Sequence, residues 1–340
     1  MKAILALAVF TVGCQHADDH VPPKPRPAPT PFAENAGLLR PIQAGSLTVT
    51  PIVATGAAAQ KQDVDVLVLD EAFDHKLVTI KESPEQTVNA LTLTNAAQKP
   101  LFLLAGEVIL GGKQDRIIGQ NTIIAANTTQ SVPVFCVEHG RWTEQESGTV
   151  FHSAHALAHG RLRGKAAFAS NQQEVWNEVA AKNAERQISN TTGTYRQVAT
   201  QQASGTLGPQ QQIDSELARL DPEDRAKMIG YVAAVNGVVQ TVDMFDSPTL
   251  FLKLERKLVQ SYVTDAVDIV ADANAKPPTA TEVKTFMSDA DKAPAEQAYD
   301  SGIADTTRFQ GMKAAKGTVE YKSKKGEVAK KPMYKTYQAK

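Results

Sequence analysis

Two polar clusters interrupt a stretch of short, β-branched apolar runs between Leu101 and Trp142. The first is Glu107 followed by Gly111-Gly112-Lys113-Gln114-Asp115-Arg116; the second is Cys136-Val137-Glu138-His139-Gly140-Arg141-Trp142. A buried sheet requires the apolar runs but has no need of the polar set. Paired glycines reach backbone conformations closed to other residues and let a ligand approach the chain. Lys113, Gln114 and Arg116 beside such a turn supply two positive charges and an amide donor, a set suited to an anion. A β-turn whose charges are solvated is the other reading. The motif is not a Walker A loop: from Gly106 the glycine-lysine spacing is one residue too long, and Gln114 replaces the magnesium-binding hydroxyl.

In the second cluster, strand alternation puts Cys136 and Glu138 on one face and His139 on the other. Cys136 is therefore expected as a small buried apolar residue rather than a nucleophile paired with that histidine. Glu107 and Glu138 are the candidate general bases if the site performs chemistry. Arg141 and Trp142 beside Glu138 suit either a structural ion pair or a ligand cradle. His152, His155 and His159 stand at i, i+3 and i+7, one face of a helix, and are the metal-ligand candidates. No helix start signal fixes that segment, and no metal or other cofactor is expected.

The N-terminus reads as a targeting segment. Lys2 precedes an apolar run over residues 3–12, far short of the roughly 20 apolar residues that cross a bilayer and suited to the core of a secretory signal. Thr11-Val12-Gly13-Cys14 resembles a bacterial lipobox, with an incidental cysteine after a plain signal peptide as the alternative. The expectation is a signal peptide over 1–13, then an acylated Cys14 and a Pro-rich tether over 14–37. Gln15 in place of an aspartate points to the outer membrane of the bacterial envelope. The chain has only two cysteines, which excludes a disulfide framework. Its net charge of -1 gives no field that would draw it to nucleic acid.

Residues 38–322 are expected to form one composite α+β domain, with a Lys-rich, solvated tail over 323–340. Alternating runs between residues 46 and 137 predict about eight strands without long intervening helices, hence an antiparallel sandwich or barrel-like sheet. Helices and a hairpin complete it. Residues 153–168 and 172–188 read as helical. Residues 190–212, rich in Thr, Gln, Ser and Gly, read as a loop. Residues 228–244 read as a hairpin turned at Asn236-Gly237. Ser247-Pro248 opens an amphipathic helix, a further helix is expected over 281–288, and residues 303–311 and 317–322 read as closing strands.

Several of these residues also match a known family. Gly106-Glu107, Gly111 to Gln114, Arg116, Asn121-Thr122 and the run 132–142 resemble the ARG and Rhodanese-Phosphatase-superfamily-associated domain family. Val175-Trp176, the hairpin over 230–237 and Phe245 to Pro248 extend the resemblance over roughly residues 47–322. Asp115 stands where relatives often have Asn. The resemblance implies a nucleotide or ADP-ribose-like ligand and no defined activity. Two readings follow. One is a lipid-anchored protein that binds or processes an anionic small molecule, with Glu107, Lys113, Gln114, Arg116, Glu138, Arg141 and Trp142 around the site. The other is a non-catalytic scaffold or protein-interaction domain in which these residues are structural pairs.

Overall fold

Asn236 and Gly237 turn the central hairpin of the largest sheet, with φ of 47° and 79°, the left-handed geometry that a two-residue hairpin demands. The computed structural model describes residues 27–56, 64–83, 88–141, 150–169, 171–322 and 330–340. Within them the strands are β1 (Thr30–Ala33), β2 (Ala36–Leu38), β3 (Ile42–Ala44), β4 (Leu47–Ala54), β5 (Leu67–Val68), β6 (Val78–Glu82), β7 (Ala90–Asn95), β8 (Leu101–Leu103), β9 (Glu107–Leu110), β10 (Arg116–Ile118), β11 (Thr122–Ile124), β12 (Thr128–Cys136), β13 (His152–Leu157), β14 (Met228–Val235), β15 (Val238–Phe245), β16 (Ala295–Asp300), β17 (Ala304–Gln310), β18 (Ala314–Lys322) and β19 (Lys330–Ala339). The helices are α1 (Leu69–Asp74), α2 (Gly160–Gly164, continued by a π turn), α3 (Gln172–Glu185), α4 (Arg196–Ser204), α5 (Gly208–Leu217), α6 (Pro222–Ala226), α7 (Pro248–Ala266) and α8 (Ala280–Asp291).

The largest sheet runs β1-β2-β4-β14-β15-β19-β18-β17-β16, with β3 on β4. Its pairings are antiparallel throughout. Both faces are covered at its centre. Phe251, Leu254, Leu258 and Tyr262 of α7 pack on Val49, Tyr231, Phe245 and Tyr334. Val283 and Ala290 of α8 pack on the other face against Ile52, Val232, Val242 and Tyr337. Helix α7 starts as its sequence directs: Ser247 accepts from the Leu250 N–H at 3.1 Å, and Pro248 occupies the first turn.

A second sheet, in the order β13-β9-β10-β12-β7-β6, curls into a half-barrel, and a short sheet β11-β8-β5 stands beside it. The half-barrel encloses Ile80, Leu93, Ile109, Ile118 and Val134 with Leu69 and Ala72 of α1. Its outer face carries Val108, Ile117, Phe135 and Val137 against Val175, Val179 and Val198 of α3 and α4. The chain is thus α+β with a β-rich N-terminal part, as expected.

Several local expectations are corrected. Residues 190–212 are not a loop: α4 and α5 occupy most of that stretch, because Val198, Ala199, Ile213 and Leu217 are buried while the Gln and Thr side chains largely face water. Tertiary packing of a thin apolar stripe overrides weak helix propensity there. Residues 153–168 are not one helix, since β13 takes 152–157 and α2 starts at Gly160. Order begins before Leu38, at β1 and β2. Residues 330–339 of the expected tail form β19, hydrogen-bonded between β15 and β18. Met333, Tyr334, Thr336 and Tyr337 are buried, while Lys330, Lys331 and Lys335 stay exposed. Lysine content had hidden the strand. Cys14, Trp142, Lys324 and Lys325 lie outside the described residues.

Ending the chain after Lys322 therefore removes a central strand and leaves two sheet edges open. The shortened chain is expected to aggregate and to lose its cooperative thermal transition by circular dichroism. A cooperative melt of the truncated protein would show β19 to be dispensable.

Candidate functional site

Strand β10 runs antiparallel to both β9 and β12, with Arg116 opposite Ile109 and Cys136. Both polar clusters consequently meet at one end of the half-barrel. Three groups with different fates result.

The first is a closed clasp around Asp115, which is fully buried. Its carboxylate accepts from the Gly111 N–H (3.0 Å), from Thr194 Oγ1 (2.9 Å) and from both Nε and Nη2 of Arg196 (3.0 and 2.7 Å). Arg141 Nη2 lies 3.5 Å away and 2.6 Å from Glu138 Oε2. Glu138 Oε2 also accepts from the Asp115 N–H at 3.1 Å, and the Glu138 carbonyl accepts from Gln114 Nε2 at 2.7 Å. Arg141 Nη1 donates to the Gly112 carbonyl at 2.8 Å, locking the glycine turn. Burial alone would raise the Glu138 pKa. The hydrogen bonds from Arg141 and the Asp115 amide outweigh it and hold the carboxyl below its usual range.

The second group is a triad in which Glu107 and Lys257 are buried and Asp70 is half-buried. Glu107 is wholly inaccessible; it accepts from the Leu104 N–H (2.9 Å) and from Lys257 Nζ of α7 (2.7 Å). Lys257 also reaches Asp70 of α1 at 2.8 Å, and Asp70 accepts from Ser153 Oγ at 2.6 Å. Burial raises the Glu107 pKa despite Lys257. The triad ties the half-barrel to α1 and α7.

The third is Arg116 itself. It is 0% exposed, yet none of its three guanidinium nitrogens has a hydrogen-bond partner among the described residues. The nearest carboxylate is Glu82 Oε2, 3.9 Å from Nη2, an ion pair beyond hydrogen-bond reach. Glu138 is engaged by Arg141 and the Asp115 amide instead.

Glu107, Gln114, Glu138 and Arg141 thus sit in two closed networks rather than an open cleft. Three cavities of about 300, 320 and 390 Å³ lie elsewhere, beside Met244 and Met287, beside Asp265 and Gln338, and beside Arg225 and Arg256. None is lined by a residue of the two polar clusters. Cys136 is 1% exposed, and burial raises its thiol pKa, as a packing residue requires. The backbone of Cys136 is paired from outside the sheet by the Gln172 amide, at 2.9 and 2.8 Å.

The three histidines do not share a helix face. His152 and His155 are on β13, His155 at a left-handed φ of 51° beside Asp70 and Asp74. His159 precedes α2 and is buried between Tyr195 (2.9 Å) and Glu178 (2.9 Å). Among the described residues no group of His, Cys, Asp or Glu is arranged to hold a metal ion. Asp115, Glu82, Thr194 and Arg196 were not among the candidate site residues read from the sequence. Asp115 stood between two predicted site residues, and its acid among basic neighbours was a legible signal. The other three are 33 or more residues away from it in the chain, with no local mark.

The fold and its clasp define an α+β domain in which a half-barrel is locked against a two-sided antiparallel sheet. The model of the ARG and Rhodanese-Phosphatase-superfamily-associated Protein domain matches residues 36–331, and the chain belongs to that family. No curated protein and no solved structure matches the chain.

Because the Glu138 carboxyl is held below its ordinary value, about 4.3, its contribution to stability is complete above that value. It is lost as pH falls through the lower folded value. Glu138→Gln is expected to lose about 3 kcal/mol at neutral pH, the scale for breaking a buried pair. Its stability should also decline less steeply with acid, as read by urea unfolding between pH 7 and 3. An unchanged acid limb would remove Glu138 from that account.

Proposed function

We propose that this is a lipid-anchored bacterial envelope protein, a binding protein whose family domain holds an anionic small molecule at Arg116.

 The observation that carries this reading is the guanidinium of Arg116, wholly buried with three nitrogens lacking partners. A buried cation left without hydrogen bonds is costly, and an incoming anion supplies what the fold withholds. Glu107 and Glu138 are already engaged by Lys257 and Arg141, which favours binding over catalysis. The ligand class implied by family resemblance is a nucleotide or ADP-ribose-like molecule. Cys14, acylated after removal of residues 1–13, would anchor the chain in the outer membrane.

The second reading, a non-catalytic scaffold or protein-interaction domain, is favoured by the closed clasp of Asp115, Glu138, Arg141 and Arg196.

Two experiments test these readings. Cys14→Ser is expected to move the protein from the membrane to the soluble fraction, since stable anchoring requires two or more acyl chains. Retention in the membrane pellet would refute lipidation. In a thermal-shift screen of nucleotides, ADP-ribose, sugar phosphates and carboxylates, a bound anion at a hundredfold excess over Kd should stabilise the wild type by about 2.7 kcal/mol. Arg116→Met should keep or raise the ligand-free Tm and abolish the response. No response from the wild type to any anion would leave the scaffold reading in possession.

A further inference from the structure

The environment of Arg116 restricts the kind of anion it can accept. Glu82 ends β6, and its Oε1 accepts from the Lys113 N–H at 2.8 Å while Oε2 faces Arg116 at 3.9 Å. The Glu82 side chain is 31% exposed and that of Arg116 is 0% exposed, so the carboxylate is the solvent-reaching member of the pair. Gly112 makes room for it. At φ 56°, a Cβ on Gly112 would lie 2.7 Å from Glu82 Oε1 and 2.1 Å from the Phe151 ring. The glycine turn thus leaves space for a flat carboxylate against the backbone, between an amide donor and a guanidinium.

We propose that Arg116 and the Lys113 amide form a site for a monocarboxylate with an apolar body, and that Glu82 occupies it as an internal stand-in. This rests on the reading of Arg116 as a ligand-binding residue. Glu82 already sets a carboxylate against Arg116 and the Lys113 amide, the geometry that a ligand carboxylate would reproduce. The neighbouring guanidinium groups are committed, Arg141 to Glu138 and Gly112, and Arg196 to Asp115. Arg116 has apolar neighbours: Ile109 and Cys136 stand opposite it in the strand register, and Phe151 lies beside the Gly112 turn. An incoming carboxylate takes the place of the Glu82 carboxylate, which turns out to water. Because Glu82 competes from within the chain at high effective concentration, removing its charge strengthens ligand binding.

The test is calorimetric titration of the full chain with benzoate, acetate, inorganic phosphate and ADP-ribose, using wild type, Glu82→Gln and Arg116→Met. Benzoate is expected to bind the wild type, to bind Glu82→Gln at least about tenfold more tightly, the effect of about 1.4 kcal/mol, and to ignore Arg116→Met. If Glu82→Gln fails to fold, the wild-type ranking of benzoate above phosphate and ADP-ribose decides. Arg116-dependent binding of phosphate or ADP-ribose without any response to carboxylates overturns this inference and leaves the anion-binding function standing. Silence of wild type and Glu82→Gln toward all four anions overturns both.

Discussion

Asp243 carries a carboxylate in the centre of the largest sheet, with no access to water. An unpaired charge there would be prohibitive, and the surrounding elements are arranged to prevent it. Arg163 of α2 donates twice, at 3.1 Å each, and Tyr262 of α7 and Tyr334 of β19 donate their hydroxyls. Burial alone would raise the Asp243 pKa; Arg163 and the two tyrosines hold it below the ordinary range. Four elements, β15, α2, α7 and β19, are joined at one carboxylate. The half-barrel is drawn in as well, because Gly106 lies against Arg163: a Cβ there would come within 2.5 Å of its Cγ. Truncating one partner of such a pair leaves the other charge stranded, so the position of α2 over the sheet is tightly specified.

The same electrostatic rule organises the half-barrel end, and there it divides the motif residues. Asp115 gathers an amide, a hydroxyl and Arg196, so its charge is fully compensated. Glu138 and Arg141 compensate each other and pin the glycine turn through the Gly112 carbonyl. Lys257 serves Glu107 and Asp70 together, joining α7 to the half-barrel and α1. Each network keeps its buried charges hydrogen-bonded, the condition under which buried ion pairs are tolerated. Arg116, on the same strand end, is the exception. Residues adjacent in a sequence motif therefore have opposite roles: Asp115 closes the structure, and Arg116 is left unsatisfied inside it.

Elements with a local physical cause were legible in the sequence. The Asn236-Gly237 hairpin follows from the φ its turn requires, and α7 follows from Ser247 as cap, Pro248 in the first turn and an apolar face. The alternating strands of the half-barrel and the burial of Cys136 followed from period-two patterning. The glycine turn and its polar neighbours were also evident, as was the α+β class.

Tertiary structure decided the rest, because partner choice depends on residues far apart in the chain. Arg141 meets Glu138 three residues away, a pairing the sequence allowed, but no local feature shows that Arg116 faces the enclosed core near Glu82. Arg196 reaches Asp115 from 81 residues downstream. β19 looked like a solvated basic tail because its lysines dominate the composition. It is a strand because Tyr334 and Tyr337 are buried and both neighbouring edges need a hydrogen-bonding partner. Spacing alone put the three histidines on one helix face, but pairing with β9 made His152 and His155 part of a bulged strand instead. Sequence specified which residues could carry charge into the interior; only the packed fold determined which of those charges would be neutralised.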